Sequence, residues 1–286
     1  MQGGYNVLGV DNLSAGLKSQ VPAGVHFYKT DILNPKIEAY FKNVDTVFHL
    51  AAKNCISDCQ SDPVTACQEN VLGTVKVFAA AAKAGVRKVV YAESSALYEG
   101  QDHFPTDESM VFPESFYAVS KLSARLFAQA YRRYHKLNLT ALRYFCVYGP
   151  KQDYRRNIPP VMSAFILNLL KNKQPIIYGT GQKRRDFIYV DDVNDFHLGC
   201  ITDKRTDGET YNLGSGENHS VLEVCQTVSQ LLGSVIKPKF QPDLKGEAEV
   251  TLANIAKAKS LGWSPKVSLR EGLQCSLDFI RANVKL

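Results

Sequence analysis

Tyr117 and Lys121 stand four apart in the chain. That spacing puts both side chains on one face if the segment is helical. A phenol is a poor base near neutrality because its pKa is about 10, and a neighbouring ammonium favours the phenolate and lowers that value. The pair therefore has the composition of a proton-transfer unit, although Tyr-x-x-x-Lys alone is common on exposed helix faces. Ser94 and Ser95 follow a β-branched run and offer hydroxyls to a reacting oxygen.

The flanking patterns say what must position these groups. Residues 5–10, 25–30, 44–50, 86–92 and 139–144 read as strands, and 35–43, 63–84 and 117–136 as helices, with Gly85 closing the second. Strands alternating with helices predict βαβ units, a parallel sheet and right-handed crossovers. Ligands of such sheets lie beyond the carboxyl ends of the strands. Asp11, residues 51–53, Ser94, Ser95 and residues 145–148 are candidates on that ground alone. After Gly149 the alternation weakens and Pro159, Pro160 and Pro175 interrupt it. The expectation is an α/β fold, with residues 1–149 a dinucleotide-binding domain. Residues 150–286 are expected to form a smaller, mainly C-terminal lobe that can return strands to the sheet.

Composition narrows the function classes. With 45% hydrophobic and 22% charged residues in 286, disorder, collagen and coiled coil are excluded. No run reaches the roughly 18 apolar residues of a membrane span, and the start has no secretory pattern. The net charge, 34 − 28 = +6, suits a small anionic ligand and is too weak to argue for nucleic acid. Arg132-Arg133 and Arg155-Arg156 read as solvated faces, whereas Lys183-Arg184-Arg185 is a candidate anion contact. Seven cysteines, an odd number, point to a reducing cytoplasm. Cys55, Cys59 and Cys67 lack the histidine or second cysteine pair that would complete a metal site.

Longer motifs join these residues. Tyr91-Ala92-Glu93-Ser94-Ser95-Ala96-Leu97-Tyr98, Phe116-Tyr117-Ala118-Val119-Ser120-Lys121 and Leu142-Arg143-Tyr144-Phe145-Cys146-Val147-Tyr148-Gly149-Pro150 occur in order. So do Val47-Phe48-His49-Leu50-Ala51-Ala52, Asn70-Val71-Leu72-Gly73-Thr74, Arg185-Asp186-Phe187-Ile188-Tyr189-Val190-Asp191-Asp192-Val193, Tyr211-Asn212-Leu213-Gly214-Ser215-Gly216 and Leu261-Gly262-Trp263. Together they resemble the extended short-chain dehydrogenase/reductases, the NAD-dependent epimerase/dehydratase family, over essentially the whole chain. The likeness is greatest to UDP-glucose 4-epimerase-like members.

The resemblance implies a Rossmann-like, doubly wound parallel sheet and NAD as cofactor. It implies Tyr117 as acid or base on a sugar 4-hydroxyl, Lys121 tuning it and holding the nicotinamide ribose, and Ser94 as hydroxyl partner, with Ser95 the less favoured choice. Asp11 and Asn12 would hold the adenosine ribose, and a carboxylate there favours NAD over NADP. Asp31 and Ile32 match the adenine edge, Leu50, Ala51 and Ala52 the bend beside the cofactor, and Tyr144 a nicotinamide-side contact. Asn70 matches a cofactor position too, or is a buried amide tying a helix to a loop. Residues 63–84 and 117–136 would form a homodimer interface of four helices.

Several positions depart from the family's pattern. Cys146 replaces an asparagine that bonds substrate, and a thiol is a weak donor. Arg185 keeps the arginine expected on the substrate pyrophosphate. The second arginine is Leu244, beside Lys245, which can serve as a point charge. Glu249 stands where some relatives carry a basic residue. Thr251 aligns with the position that gates the sugar 2-substituent, and a small residue leaves room for an N-acetyl group. Ser95 and Ala96 occupy the places of the acid and base that dehydratases use, so dehydration is disfavoured.

The family also opens with a strand, a Gly-x-x-Gly-x-x-Gly turn and a helix that cradle the dinucleotide pyrophosphate. That sequence is not found here, and Gly3-Gly4 reads as the end of such a helix. The expectation is a sheet short of its first βα unit, with strands facing a gap. Three readings follow: a UDP-hexose 4-epimerase, a non-catalytic nucleotide-sugar-binding or dimerising member, and a related reductase or dehydratase.

Overall fold

The computed structural model describes residues 4–156, 159–244 and 246–284. The chain folds as two compact units that interleave along the sequence. Unit 1 comprises Met1–Glu93, Ser115–Ala141 and Asp207–Glu209, and unit 2 comprises Ser94–Glu114, Leu142–Thr206 and Thr210–Leu286.

The first elements are β1 (Leu8–Asp11), β2 (His26–Lys29), β3 (Thr46–His49), α1 (Ile56–Ser61), α2 (Pro63–Cys67), α3 (Gly73–Ala84), β4 (Lys88–Ser94), α4 (Phe116–His135) and β5 (Leu139–Tyr144). Strands β1 and β2 are parallel, with Asp11 opposite Lys29, and form a two-stranded sheet of their own. Strands β3 and β4 are parallel, with Thr46 opposite Lys88. The expected strand over 5–10 is shifted to Leu8–Asp11, so that Asp11 is its last residue.

The sequence pattern over 63–84 predicts one long helix, and the structure places a π-helical turn, Gln68–Leu72, between α2 and α3. A π turn accommodates one extra residue and redirects side chains. Asn70, in that turn, is 1% exposed. Asp62 starts α2 by accepting from the Thr65 N–H at 3.0 Å. Gly85 ends α3 at φ 68°, a left-handed conformation that costs glycine no steric penalty. The core of unit 1 centres on Phe78, fully buried and edge-on to Tyr91 and Tyr131 at 5.4 and 5.8 Å. Truncating such a side chain to alanine costs about 3–5 kcal/mol.

The remaining elements are β6 (Cys146–Tyr148), α5 (Val161–Leu170), β7 (Ile176–Tyr178), β8 (Arg184–Arg185), β9 (Phe187–Tyr189), α6 (Val190–Thr202), β10 (Thr210–Leu213), β11 (His219–Ser220), α7 (Val221–Leu232), β12 (Lys239–Gln241), α8 (Ala256–Lys259) and α9 (Leu269–Asn283). Strands β6 and β9 pair in parallel, as do β7 and β12, whereas β8 and β11 are antiparallel. The residue pattern carries little sign of β7 to β12 because strands of two to four residues are too short to establish a period. Helices α7 and α9 both start with a full capping box, Ser220 with Glu223 and Ser268 with Glu271.

Two aspartates of the 185–193 motif, Asp186 and Asp192, act as structural pins. Asp186 is fully buried and accepts from Ser215 N–H and O–H, Gly216 N–H and Ala253 N–H at 2.6–3.1 Å. Asp192 accepts from the Lys266 and Val267 N–H groups, and its carbonyl accepts from the Trp263 indole at 2.9 Å. Among the described residues no helix is long and apolar enough to cross a membrane.

Candidate active site

In unit 1 the first turn of α4 carries Tyr117 and the second carries Lys121. The helix starts where Ser115 accepts from the Ala118 N–H at 3.1 Å. That cap fixes the phase of the helix and therefore the face on which both side chains stand. Tyr117 is 8% and Lys121 6% exposed, with the ammonium 5.9 Å from the phenol ring centre. Among the described residues Lys121 donates to one hydrogen-bond acceptor, the Ala92 carbonyl at 3.2 Å. Burial pushes its pKa down to about 8, and the Glu93 carboxylate offsets only part of that.

The backbone around this pair is locked from below. Ser120 donates to the Tyr117 carbonyl at 2.7 Å and accepts from the Asn70 amide at 2.9 Å. The same amide donates to the Lys53 carbonyl at 3.0 Å and accepts from the Lys53 N–H at 2.7 Å. Asn70 thus ties the loop after β3 to α4. Ser120 lies within a motif, but nothing in its spacing announced this role. Gly73, next in the same motif, faces the Ile32 side chain with no room for a Cβ. Thr74 bonds His49, whose pKa burial pushes down to about 3, so the ring is neutral.

The candidate adenosine-side residues gather at the ends of β1 and β2. Asp11 accepts from the Leu13 N–H at 2.6 Å, and Asn12 donates to Asp31 at 2.8 Å. Asp31 also accepts from the Leu33 N–H at 2.7 Å. Past β3, Leu50 is 52% exposed and Ala51 is exposed, an apolar step at a strand end.

In unit 2, Ser94 accepts from the Ala96 N–H at 3.2 Å and begins a short 3-10 turn with Ser95 as its first residue. A hydroxyl that accepts locally keeps its own proton for another acceptor. Tyr144 meets His197 at 2.6 Å between hydroxyl and Nε2. Burial pushes the His197 pKa down to about 4 and the Tyr144 pKa up, so the phenol donates and the neutral ring accepts. His197 was not among the expected site residues.

Cys146, Arg185 and Thr251 converge on the backbone of Asp186. The Cys146 N–H donates to the Asp186 carbonyl at 3.0 Å, and the Asp186 N–H donates to the Thr251 hydroxyl at 3.1 Å. Burial pushes the Cys146 thiol up to about 11, with Arg185 opposing the shift. A neutral thiol is a poor donor. Lys245 lies outside the described residues. Among those described, no group of three or more His, Cys, Asp or Glu side chains is placed to hold a metal ion.

The model of the NAD dependent epimerase/dehydratase family matches residues 1–214. The chain belongs to this family. A putative UDP-glucose 4-epimerase of Methanocaldococcus jannaschii is 33% identical over 289 residues, covering 99% of this chain and 93% of that protein. A crystal structure of UDP-glucose 4-epimerase with UDP-glucose from Thermotoga maritima superposes with a TM-score of 0.95 at 31% identity, covering 99% of this chain and 93% of that one. The UDP-glucuronic acid 4-epimerase of Bacillus cereus, in complex with UDP-glucuronic acid and NAD, gives 0.90 at 27% identity, covering 97% and 91%. The α/β fold with its parallel strand pairs is that of these Rossmann-fold enzymes.

Proposed function

We propose that this protein epimerises a UDP-hexose at C4 with NAD as cofactor, by way of a 4-keto sugar. The observation that carries the reading is Lys121, a buried ammonium with one carbonyl partner, sharing a helix face with Tyr117. The residues present fit the ribose and adenosine portions of the cofactor. Two hydrogens of the Lys121 ammonium remain for ribose hydroxyls, Asp11 and Asn12 bring acceptors to a strand end, and Leu50, Ala51 and Ala52 offer an apolar step. NAD, when bound, supplies the hydride acceptor that makes oxidation at C4 possible.

The chain's own groups would do the rest. Tyr117 takes the proton of the sugar 4-hydroxyl and returns it, and Lys121 favours the phenolate while holding ribose. Ser94 directs its free proton to the same oxygen, with Ser95 next to it. Asp31 and Ile32 flank adenine. Tyr144, held by His197, borders the nicotinamide. Arg185 contacts the diphosphate, with Lys245 as a second cation. Cys146 and Thr251 border the sugar, which is UDP-glucose or UDP-galactose or an N-acetyl form. On this reading residues 1–149 chiefly serve NAD and 150–286 chiefly serve the UDP-sugar.

A homodimer belongs to the same reading. Val64, Leu72, Phe116, Val119, Leu126 and Phe127 are exposed on the helical segments of 63–84 and α4, an amount of apolar surface that favours burial against a second copy. A cytoplasmic location agrees with seven cysteines that are all unpaired.

The test is incubation with NAD and UDP-glucose, UDP-N-acetylglucosamine or UDP-glucuronate, with products resolved by chromatography. Formation of the C4 epimer of one of the first two supports the reading. UDP-sugar binding without turnover would instead establish a binding-only member, and loss of water or net reduction would establish a dehydratase or reductase.

A further inference from the structure

Unit 2 carries three cations in a row on and beside β8, and each already faces a carboxylate. Lys183 is 2.8 Å from Asp243 and 3.4 Å from Glu249. Arg184 is 3.3 Å from Glu223. Arg185 is 3.3 Å from Glu247. Three of these four carboxylates come from the short stretch between Asp243 and Glu249, which the sequence pattern marks as lacking the family's second arginine.

These pairs differ in build. Arg185 is anchored through Nη1, which donates to the Arg184 and Glu249 carbonyls at 3.0 and 3.4 Å. Its Nη2 edge faces Glu247 alone among the described residues. The Arg185 side chain is 14% exposed and that of Glu247 40%. The guanidinium is thus fixed and largely desolvated, while the carboxylate has water within reach. The 3.3 Å separation is longer than the roughly 2.7–2.9 Å of a strong charge-assisted hydrogen bond. Glu247 follows Gly246, which sits at φ +81° with nothing within 4 Å of a Cβ position, so its backbone is not wedged in place. Arg185 and Glu247 both act electrostatically on the half-buried Cys146 thiol, which puts the ion pair beside a proposed substrate-facing residue.

We infer that Glu247 is an internal occupant of the Arg185 guanidinium, displaced when the diphosphate of a nucleoside diphosphate binds, and that it sets the strength and salt response of that binding. The inference rests on reading Arg185 as the diphosphate contact. Binding is then an exchange: a diphosphate replaces one carboxylate on Nη2, and Glu247 swings into water. Exchange lowers affinity, because the guanidinium must release a carboxylate it already holds. It also blunts salt dependence, because added salt weakens the Arg185–Glu247 pair as well as the guanidinium–diphosphate pair that replaces it.

The test is titration calorimetry of UDP into the full chain at two salt concentrations. Glu247→Gln is expected to tighten UDP about 3- to 10-fold and to steepen the loss of affinity with salt. Glu249→Gln, whose side chain is 78% exposed and touches Lys183, is expected to change affinity less. Glu247→Asp is expected to restore wild-type behaviour. Unchanged or weaker UDP binding by Glu247→Gln, while Arg185→Met weakens it, overturns the inference and leaves Arg185 in its proposed role. UDP affinity indifferent to Arg185→Met, or no UDP binding by any variant, overturns the functional reading together with the inference.

Discussion

Lys121 and Lys183 are both nearly buried cations, at 6% and 9% exposure, and their surroundings differ in kind. Lys121 rests on a backbone carbonyl, and burial pushes its pKa down to about 8. Burial acts on Lys183 in the same direction, but Asp243 and Glu249 outweigh it and its pKa rises. The first charge is held at a cost and remains available to a phenol or a ribose. The second is neutralised within the fold, so an incoming anion must displace something. On the proposed reading, proton transfer and reversible anion binding call for these opposite arrangements.

The most severe way to break the comparison is at Tyr117. Tyr117→Phe is expected to lower turnover by roughly 10²–10⁴, the range for loss of a general acid–base group, while the protein stays folded. Steady-state kinetics beside chemical denaturation checks both halves, and near wild-type turnover refutes the assignment.

The lysines themselves come next. The folded pKa of Lys121 lies below its unfolded value of 10.5, so the unfolded chain binds more protons between about pH 8 and 10.5. Stability attributable to Lys121 therefore rises with pH across that window, and its cost is full below it. Lys121→Met is expected to stabilise the protein at pH 7 by on the order of 2 kcal/mol, less what the orphaned Ala92 carbonyl costs, and to abolish turnover. For Lys183 the sign is reversed. Its folded pKa is raised, so its contribution is complete below pH 10.5 and is lost above it, and Lys183→Met is expected to destabilise at pH 7. Urea unfolding at pH 7 and pH 10 measures both, and the same sign for the two variants would end the contrast.

The proposed dimer gives a gentler test. Leu126→Asp on the exposed face of α4 is expected to shift the protein to monomer by sedimentation while leaving its circular dichroism intact. Smallest of all, Ser220→Ala removes a cap hydroxyl that accepts from the Glu223 N–H at 3.0 Å, and is expected to cost about 1 kcal/mol of stability with no change in turnover. That sets Ser220 against Ser94, which also accepts a local N–H but is expected to matter for rate.

Legibility in the sequence followed distance along the chain. Tyr117 and Lys121 were readable because a helical period fixes neighbours four apart, and the strand over 86–92 was readable from its β-branched Val86, Val89 and Val90. The π turn around Asn70 was not, since an inserted residue leaves no mark on a pattern that is apolar on both sides. Asp186 and Asp192 stood out in a motif, but their partners lie 29 to 75 residues away, so their work as pins was invisible. The carboxylates on Lys183 and Arg185 come from 60 to 66 residues further on. Only Leu244 and Glu249, as departures from a pattern, hinted that this strip was unusual.

In the proposed reaction the hydrogen at C4 leaves and returns within one site. UDP-glucose carrying deuterium at C4, incubated with the protein and NAD in ordinary water, tests this directly by NMR of the product. The expected product is UDP-galactose with the deuterium still on C4. Product with hydrogen from water at C4, or labelled sugar from which water has been lost, would contradict it.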